Sequence, residues 1–217
     1  MSLRFAVPLH LLVVVCVALA TGMPARAQDP APDALVRQSV DETLGIIKAN
    51  RDLQTNNPAR LAELVEAKVL QHFDFPRMTR LAIGRSWSQA SDAQKEALTR
   101  EFRTLLVRTY STSLAQYRNQ TIDVKPAKLQ PKDEEVQVKT VVNQPGGQPI
   151  PIDYGMARTP SGWKVYDVLV DGVSLVTTYR SSFNDQIQKS GIDGLIKTLA
   201  DRNRATDSAR AKGDAKK

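Results

Sequence analysis

Side chains able to do chemistry are few in this chain, and they are scattered. Histidine occurs twice, at His10 and His72, and cysteine once, at Cys16. His72 and Asp74 form the one close pairing of acid–base type. A general base needs a nucleophile or a substrate proton within hydrogen-bond reach. No serine in a nucleophile-elbow motif accompanies His72, and a lone histidine at the end of an amphipathic helix reads as a surface or capping residue. Asp74, just ahead of Phe75-Pro76, reads as a helix-start residue. The acidic run Asp133-Glu134-Glu135 lies in the approach to a strand, which suits a solvated edge better than a metal site. Ser174, Ser181 and Ser182 fall at a helix start or within a helix, with no second histidine to serve them. These residues point to no enzyme, no catalytic residue, no metal and no cofactor.

The N-terminus tightens that reading. Met1-Ser2-Leu3-Arg4 is followed by an apolar run from Phe5 to Ala20 and then by Thr21-Gly22-Met23-Pro24-Ala25-Arg26-Ala27. A basic start, an apolar stretch and a small-x-small site make a secretory signal peptide. It is too short for a membrane span, which needs roughly 20 apolar residues. The expected signal peptide is residues 1–27, cleaved after Ala27, with the mature chain in the periplasm. Lipidation at Cys16 is disfavoured, because Val13-Val14-Val15 lacks the small residues such a site requires. Cleavage removes Cys16 and His10, so the mature chain keeps one imidazole and no thiol. It can form no disulfide and no Cys/His metal cluster.

Charge argues against nucleic acid as a partner. The formal net charge is +7, but the signal carries Arg4 and Arg26 without an acid. The segment 202–217 holds a further basic surplus in a small, polar, aperiodic sequence. The remaining body is near neutral, without the basic face of a nucleic-acid module. Residues 28–201 are expected to form one domain, since about 190 residues suffice for a core without staples. Residues 202–217 are expected to be a disordered basic tail.

Helical periodicity dominates as far as about residue 118. Leu35, Val36, Val40, Leu44 and Ile47 fall on one stripe of a helix from about Asp33 to Arg51. Pro58 suits the first position of a second helix, bearing Leu61, Leu64, Val65 and Val69. A third carries Met78, Leu81 and Ala82 and stops at Gly84. Ser91 with Gln94 forms a capping box for a long helix whose stripe runs through Leu98, Phe102, Leu105, Leu106, Tyr110, Leu114 and Tyr117. The period then falls to two. Thr121–Val124, Glu135–Val142 and Gln148–Arg158 are strand-like, the last with Ile150, Ile152, Tyr154 and Met156 on one face. Trp163 to Val170 is a strand apolar on both faces, with Trp163, Val165 and Leu169 opposite Tyr166, Val168 and Val170. Two closing helices follow, separated by Gly191. The pattern is α+β, an antiparallel sheet covered on one side by helices.

Periodicity leaves two readings of the second half open: an ordinary sheet–helix core, or layers that close incompletely around an apolar ligand cavity. The run Phe73-Asp74-Phe75-Pro76-Arg77-Met78, with Leu81 and Gly84, resembles the helical signature of the MlaC family, also called toluene-tolerance auxiliary proteins. Trp163-Lys164-Val165-Tyr166-Asp167-Val168 resembles a second signature. It continues through Asp171-Gly172-Val173-Ser174-Leu175-Val176 and Tyr179-Arg180-Ser181-Ser182-Phe183. The likeness covers nearly all of residues 33–200.

This resemblance implies a curved sheet of about four strands packed against helices, with an apolar cavity between them for phospholipid acyl chains. It implies a periplasmic monomer that shuttles lipid and so maintains outer-membrane asymmetry. Its partners would be an inner-membrane ABC transporter complex with a lipid-binding ring subunit and an outer-membrane lipoprotein–porin complex. The candidate lining is Tyr110, Tyr154, Met156, Val168, Val170, Leu175 and Tyr179. The alternatives are a hopanoid-linked carrier of the same family and a periplasmic chaperone binding apolar polypeptide.

Overall fold

The computed structural model describes residues 30–115 and 117–214; the expected signal peptide, residues 1–27, lies outside them. Six helices frame one sheet: α1 (Pro32–Ala49), α2 (Arg51–Asn56), α3 (Pro58–Val69), α4 (Phe75–Ile83), α5 (Asp92–Ala115) and α6 (Leu175–Asp214). The strands are β1 (Thr121–Val124), β2 (Glu135–Asn143), β3 (Ile150–Thr159), β4 (Gly162–Val170) and β5 (Val173–Ser174). They pair antiparallel in chain order, a simple meander.

The helix ends follow the local chemistry of the sequence. The Asn57 side chain accepts from Arg60 N–H at 3.0 Å and caps α3 behind Pro58. Asp74 accepts from Arg77 N–H at 2.9 Å and caps α4. The capping box forms as its residues require: Gln94 N–H donates to Ser91 Oγ at 3.2 Å, and Ser91 N–H to Gln94 Oε1 at 3.0 Å. Ser174 starts α6 by accepting from Thr177 N–H, while its own hydroxyl donates to Asp167 at 2.6 Å.

The expected antiparallel sheet is present, extended by a short fifth strand because Asp171 (φ 51) and Gly172 (φ 77) reverse the chain tightly enough for Val173 and Ser174 to pair with Val170 and Leu169. Two expectations need correction. The segment from 202 is not an unstructured tail throughout. Helix α6 runs on to Asp214, and buried Asn203 donates to the Glu101 carbonyl and carboxylate of α5, both at 3.0 Å. The expected break at Gly191 is present as a kink (φ 71, ψ −178) within α6.

The second correction concerns the faces of β4. Met156 pairs with Val165 but Gly155 pairs with Asp167, so Tyr166 is an extra residue in β4. A bulge of one residue inverts the alternation beyond it. Trp163, Val165, Val168 and Val170 consequently share one core, although strict period two puts Val168 and Val170 opposite the other two. Tyr166 is turned to the far side, where its ring lies beneath the Arg77 guanidinium at 4.0 Å and its hydroxyl donates to Glu135 at 2.9 Å.

Two cores result. One lies between α1 and the sheet, around Val36, Val138, Met156, Trp163 and Val165. The other is helical, around Met78, Leu98, Phe102, Val176 and Leu195 of α4, α5 and α6. Phe73 packs against both. It sits where the chain crosses from one layer to the other, in an extended step (φ −105, ψ 140) beside the edge of β4.

Candidate functional site

Between α1, α3 and the inner face of the sheet the layers fail to close, leaving a cavity of about 230 Å³. Helix α1 contributes Leu35, Val36, Ser39, Val40 and Thr43, and α3 contributes Val65 and Val69. Ile122, Tyr154, Met156 and Val165 face them from the sheet, while His72 and Phe73 close one end. The aliphatic hydroxyls in this wall are occupied elsewhere, and the Tyr154 phenol is engaged with the Thr140 hydroxyl. Ser39 donates to the Leu35 carbonyl at 2.9 Å and Thr43 to the Ser39 carbonyl at 2.7 Å. Their hydrogen bonds are spent along the helix, so the lining offers a ligand almost nothing but hydrocarbon. Water needs two to four polar partners to be held in such a space. The cavity suits an apolar chain.

Of the residues named from sequence, the structure brings Tyr154 and Met156 into this cavity. Val168, Val170 and Leu175 belong to the same core but lie outside the cavity wall. Tyr179 packs in the helical core, edge-on to Phe102 with ring centroids 5.2 Å apart, and Tyr110 lies beside it, 40% exposed. These two are away from the cavity because the stripe of α5 faces α6 rather than the sheet. Sequence reasoning missed the wall supplied by α1 and α3. Its signal was available: Leu35, Val36 and Val40 form a stripe that something had to cover.

The titratable groups nearby have structural tasks. Burial, then the neighbouring Lys164, holds the His72 imidazole below its ordinary pKa, against an opposing pull from Glu42. Burial pushes the Tyr154 phenol up, opposed by the Thr140 hydroxyl. Asp74 is committed to its helix cap. Glu135 is held below the usual carboxylate range by its hydrogen bonds from Arg77 and then Tyr166. Ser182 donates to the Tyr179 carbonyl at 3.0 Å. Among the described residues, no three His, Cys, Asp or Glu side chains gather where they could hold a metal ion.

The family model described as MlaC protein matches residues 37–201. The chain belongs to the MlaC family. Among its relatives, the toluene tolerance protein ttg2D of Pseudomonas putida is 27% identical over 186 residues, covering 82% of this chain and 86% of that protein. The intermembrane phospholipid transport system binding protein MlaC of Haemophilus influenzae is 26% identical over 171 residues, covering 77% and 80%. A solved structure of a phospholipid-binding protein from Ralstonia solanacearum, in complex with a phospholipid, is 38% identical, with a TM-score of 0.75. It covers 82% of this chain and 99% of its own.

The MlaC signatures prove to be architectural. Phe73-Asp74-Phe75-Pro76 makes the crossing and the cap of α4, Tyr166 makes the bulge, and Asp167 ties β4 to the start of α6. Asp167 Oδ1 accepts from Val168 N–H at 2.8 Å and from Val176 N–H at 3.3 Å. The signatures therefore mark the frame around the cavity more than its lining.

Proposed function

We propose that this MlaC-family chain is a periplasmic, non-enzymatic, monomeric carrier of phospholipid. Its reading rests on one observation above all. The cavity between α1, α3 and the sheet has its polar groups turned away, in a chain 38% identical to a protein solved with a phospholipid bound. An acyl chain transferred from water gains about 0.8 kcal/mol per CH₂, so lipid inside does not leak into solvent. Exchange between bilayer and cavity is apolar to apolar and close to neutral. Direction must therefore come from the complexes that load and unload the carrier: the ABC transporter complex at the inner membrane and the lipoprotein–porin complex at the outer membrane. Shuttling between these complexes maintains outer-membrane lipid asymmetry. Catalysis has no place in this scheme: Asp74 and Ser174 cap helices, and His72 lines the cavity wall. No helix among the described residues is long and apolar enough to cross a membrane.

The test is native mass spectrometry of protein purified without detergent. Discrete added masses of phospholipid size are expected in the parent. They should be reduced in Val40→Trp, which fills the cavity from α1, while the circular-dichroism spectrum is retained. A bare polypeptide mass in the parent would sink the reading, and a polypeptide adduct would favour a chaperone instead. Extracted lipid should be intact after hours at 37 °C. Lysophospholipid accumulating with time, and absent from His72→Ala, would turn the assignment to a lipase.

A further inference from the structure

Arg60, Arg77, Lys95 and Arg100 each have a carboxylate beside them, in Glu63, Glu135, Asp92 and Glu101. Arg80, Arg85 and Arg180 do not. Among the described residues none of these three makes an ion pair, and all three line one groove of about 740 Å³ between α4 and α6. The lining contains no carboxylate.

Local structure gathers the three. Arg80 lies in the last turn of α4. Gly84 ends that helix at φ 65, ψ −130, a conformation open to glycine and strained for other residues. It turns the chain into the short 3₁₀ helix Gly84–Gln89, so that Arg85 and Ser86 join the groove. The opposite wall is one face of α6, where Arg180, Asn184 and Gln188 recur every four residues. Leu81 supplies the one large apolar side chain.

The polar groups of this lining are not spent inside the protein. Among the described residues the side chains of Arg80, Arg85, Ser86, Asn184 and Gln188 make no hydrogen bond with it. Arg180 uses only its Nε, which donates to the Leu81 carbonyl at 3.0 Å. That bond holds the guanidinium against α4 and leaves its two terminal nitrogens unused. The contrast with the cavity is plain, since the hydroxyls there are committed along their own helix. Three like charges in one groove oppose one another. An incoming carboxylate relieves that repulsion and gains charge-assisted hydrogen bonds as well.

We propose that this groove docks an acidic segment of a partner protein. The three arginines take its carboxylates, as arginine clusters do with acidic motifs. The Asn184 and Gln188 amides, which both donate and accept, meet its backbone, and an apolar side chain of the segment rests on Leu81. The recess suits a peptide better than a membrane, because a flat bilayer would touch only the rims. The groove shares no residue with the cavity, so a partner seated here leaves the lipid site uncovered. The proposal goes beyond the carrier reading and does not depend on it.

Fluorescence anisotropy of a labelled synthetic peptide of glutamates and leucines tests it. The double variant Arg80→Gln, Arg85→Gln, at two exposed positions, should bind the peptide about tenfold more weakly than the parent, the worth of two surface ion pairs. The double variant Lys128→Gln, Lys139→Gln removes the same charge at exposed positions outside the groove, and should bind like the parent. Arg85→Gln alone, with a smaller loss expected, keeps the test usable should the groove double not fold. A parent that does not bind the peptide, or equal weakening in the two doubles, overturns the docking site. Co-sedimentation with dioleoyl phosphatidylglycerol vesicles that is lost in the groove double, while peptide binding is unchanged, would make the occupant a membrane and overturn it too.

Discussion

At the scale of single residues, His72 shows how a side chain suited to chemistry is put to structural use. It closes one end of the apolar cavity, and burial together with Lys164 disfavours its protonated form. Above its ordinary pKa of about 6.5 the imidazole is neutral in both folded and unfolded chains. As pH falls through 6.5 the unfolded chain takes up the proton first, so stability is lost toward the lower, folded pKa. Urea denaturation at a series of pH values from 7.5 to 5.5 should show this loss in the parent and a flatter profile in His72→Gln. Identical profiles would mean that His72 is not held neutral by the fold. Asp74, its apparent partner in sequence, faces the start of α4. Asp74→Ala should cost about 1 kcal/mol of stability, the usual worth of an N-cap, and leave lipid binding in the folded protein unchanged.

Among the elements, the hairpin of β3 and β4 decides which residues face the cavity. Its bulge depends on Gly155, because a Cβ there would lie 3.3 Å from the Tyr166 ring. Tyr166 in turn holds Glu135 and lies under Arg77, so the bulge fastens α4 to the outer side of the sheet. Gly155→Val should push the ring away and cost about 1–3 kcal/mol, as overpacking does. An unchanged denaturation midpoint would show that the ring is free to move. Helix α5 makes a contrasting case, since its start is written locally in Ser91 and Gln94. Ser91→Ala should cost about 1 kcal/mol, whatever happens to the sheet.

Across the whole molecule, the end of the domain lies further along the chain than its composition suggests. Asn203 is 4% exposed and bonded to Glu101, so a chain ending at residue 201 loses a contact that closes α6 on α5. Thermal unfolding of that truncation should begin at lower temperature than that of a chain ending at residue 206. Equal melting temperatures would restore the boundary at 201. A carrier whose folded state alone binds lipid is also stabilised by its cargo. Delipidated protein should therefore melt below the protein as purified, and added phospholipid should restore the difference.

Sequence alone determined what is local. Pro58, Asp74-Phe75-Pro76, Ser91 with Gln94 and Asp171-Gly172 act through backbone groups a few residues away, and the helix starts and turns they encode are where the spacing puts them. The change from period 3.6 to period two near residue 120 likewise dictated helices followed by a meander, and the two family signatures could be read because they carry this frame. The cavity was decided by tertiary structure. Its walls come from α1, α3 and three strands far apart in the chain, and an apolar stripe looks the same whether its partner fits tightly or leaves a gap. The bulge at Tyr166 moved Val168 and Val170 to the other face, a change of one residue that hydrophobicity on both sides of β4 had hidden. Tyr110 and Tyr179 are apolar and inward in pattern, yet Tyr179 packs in a different core and Tyr110 lies at the surface beside it. Periodicity tells a side chain to turn inward, and only packing says toward what.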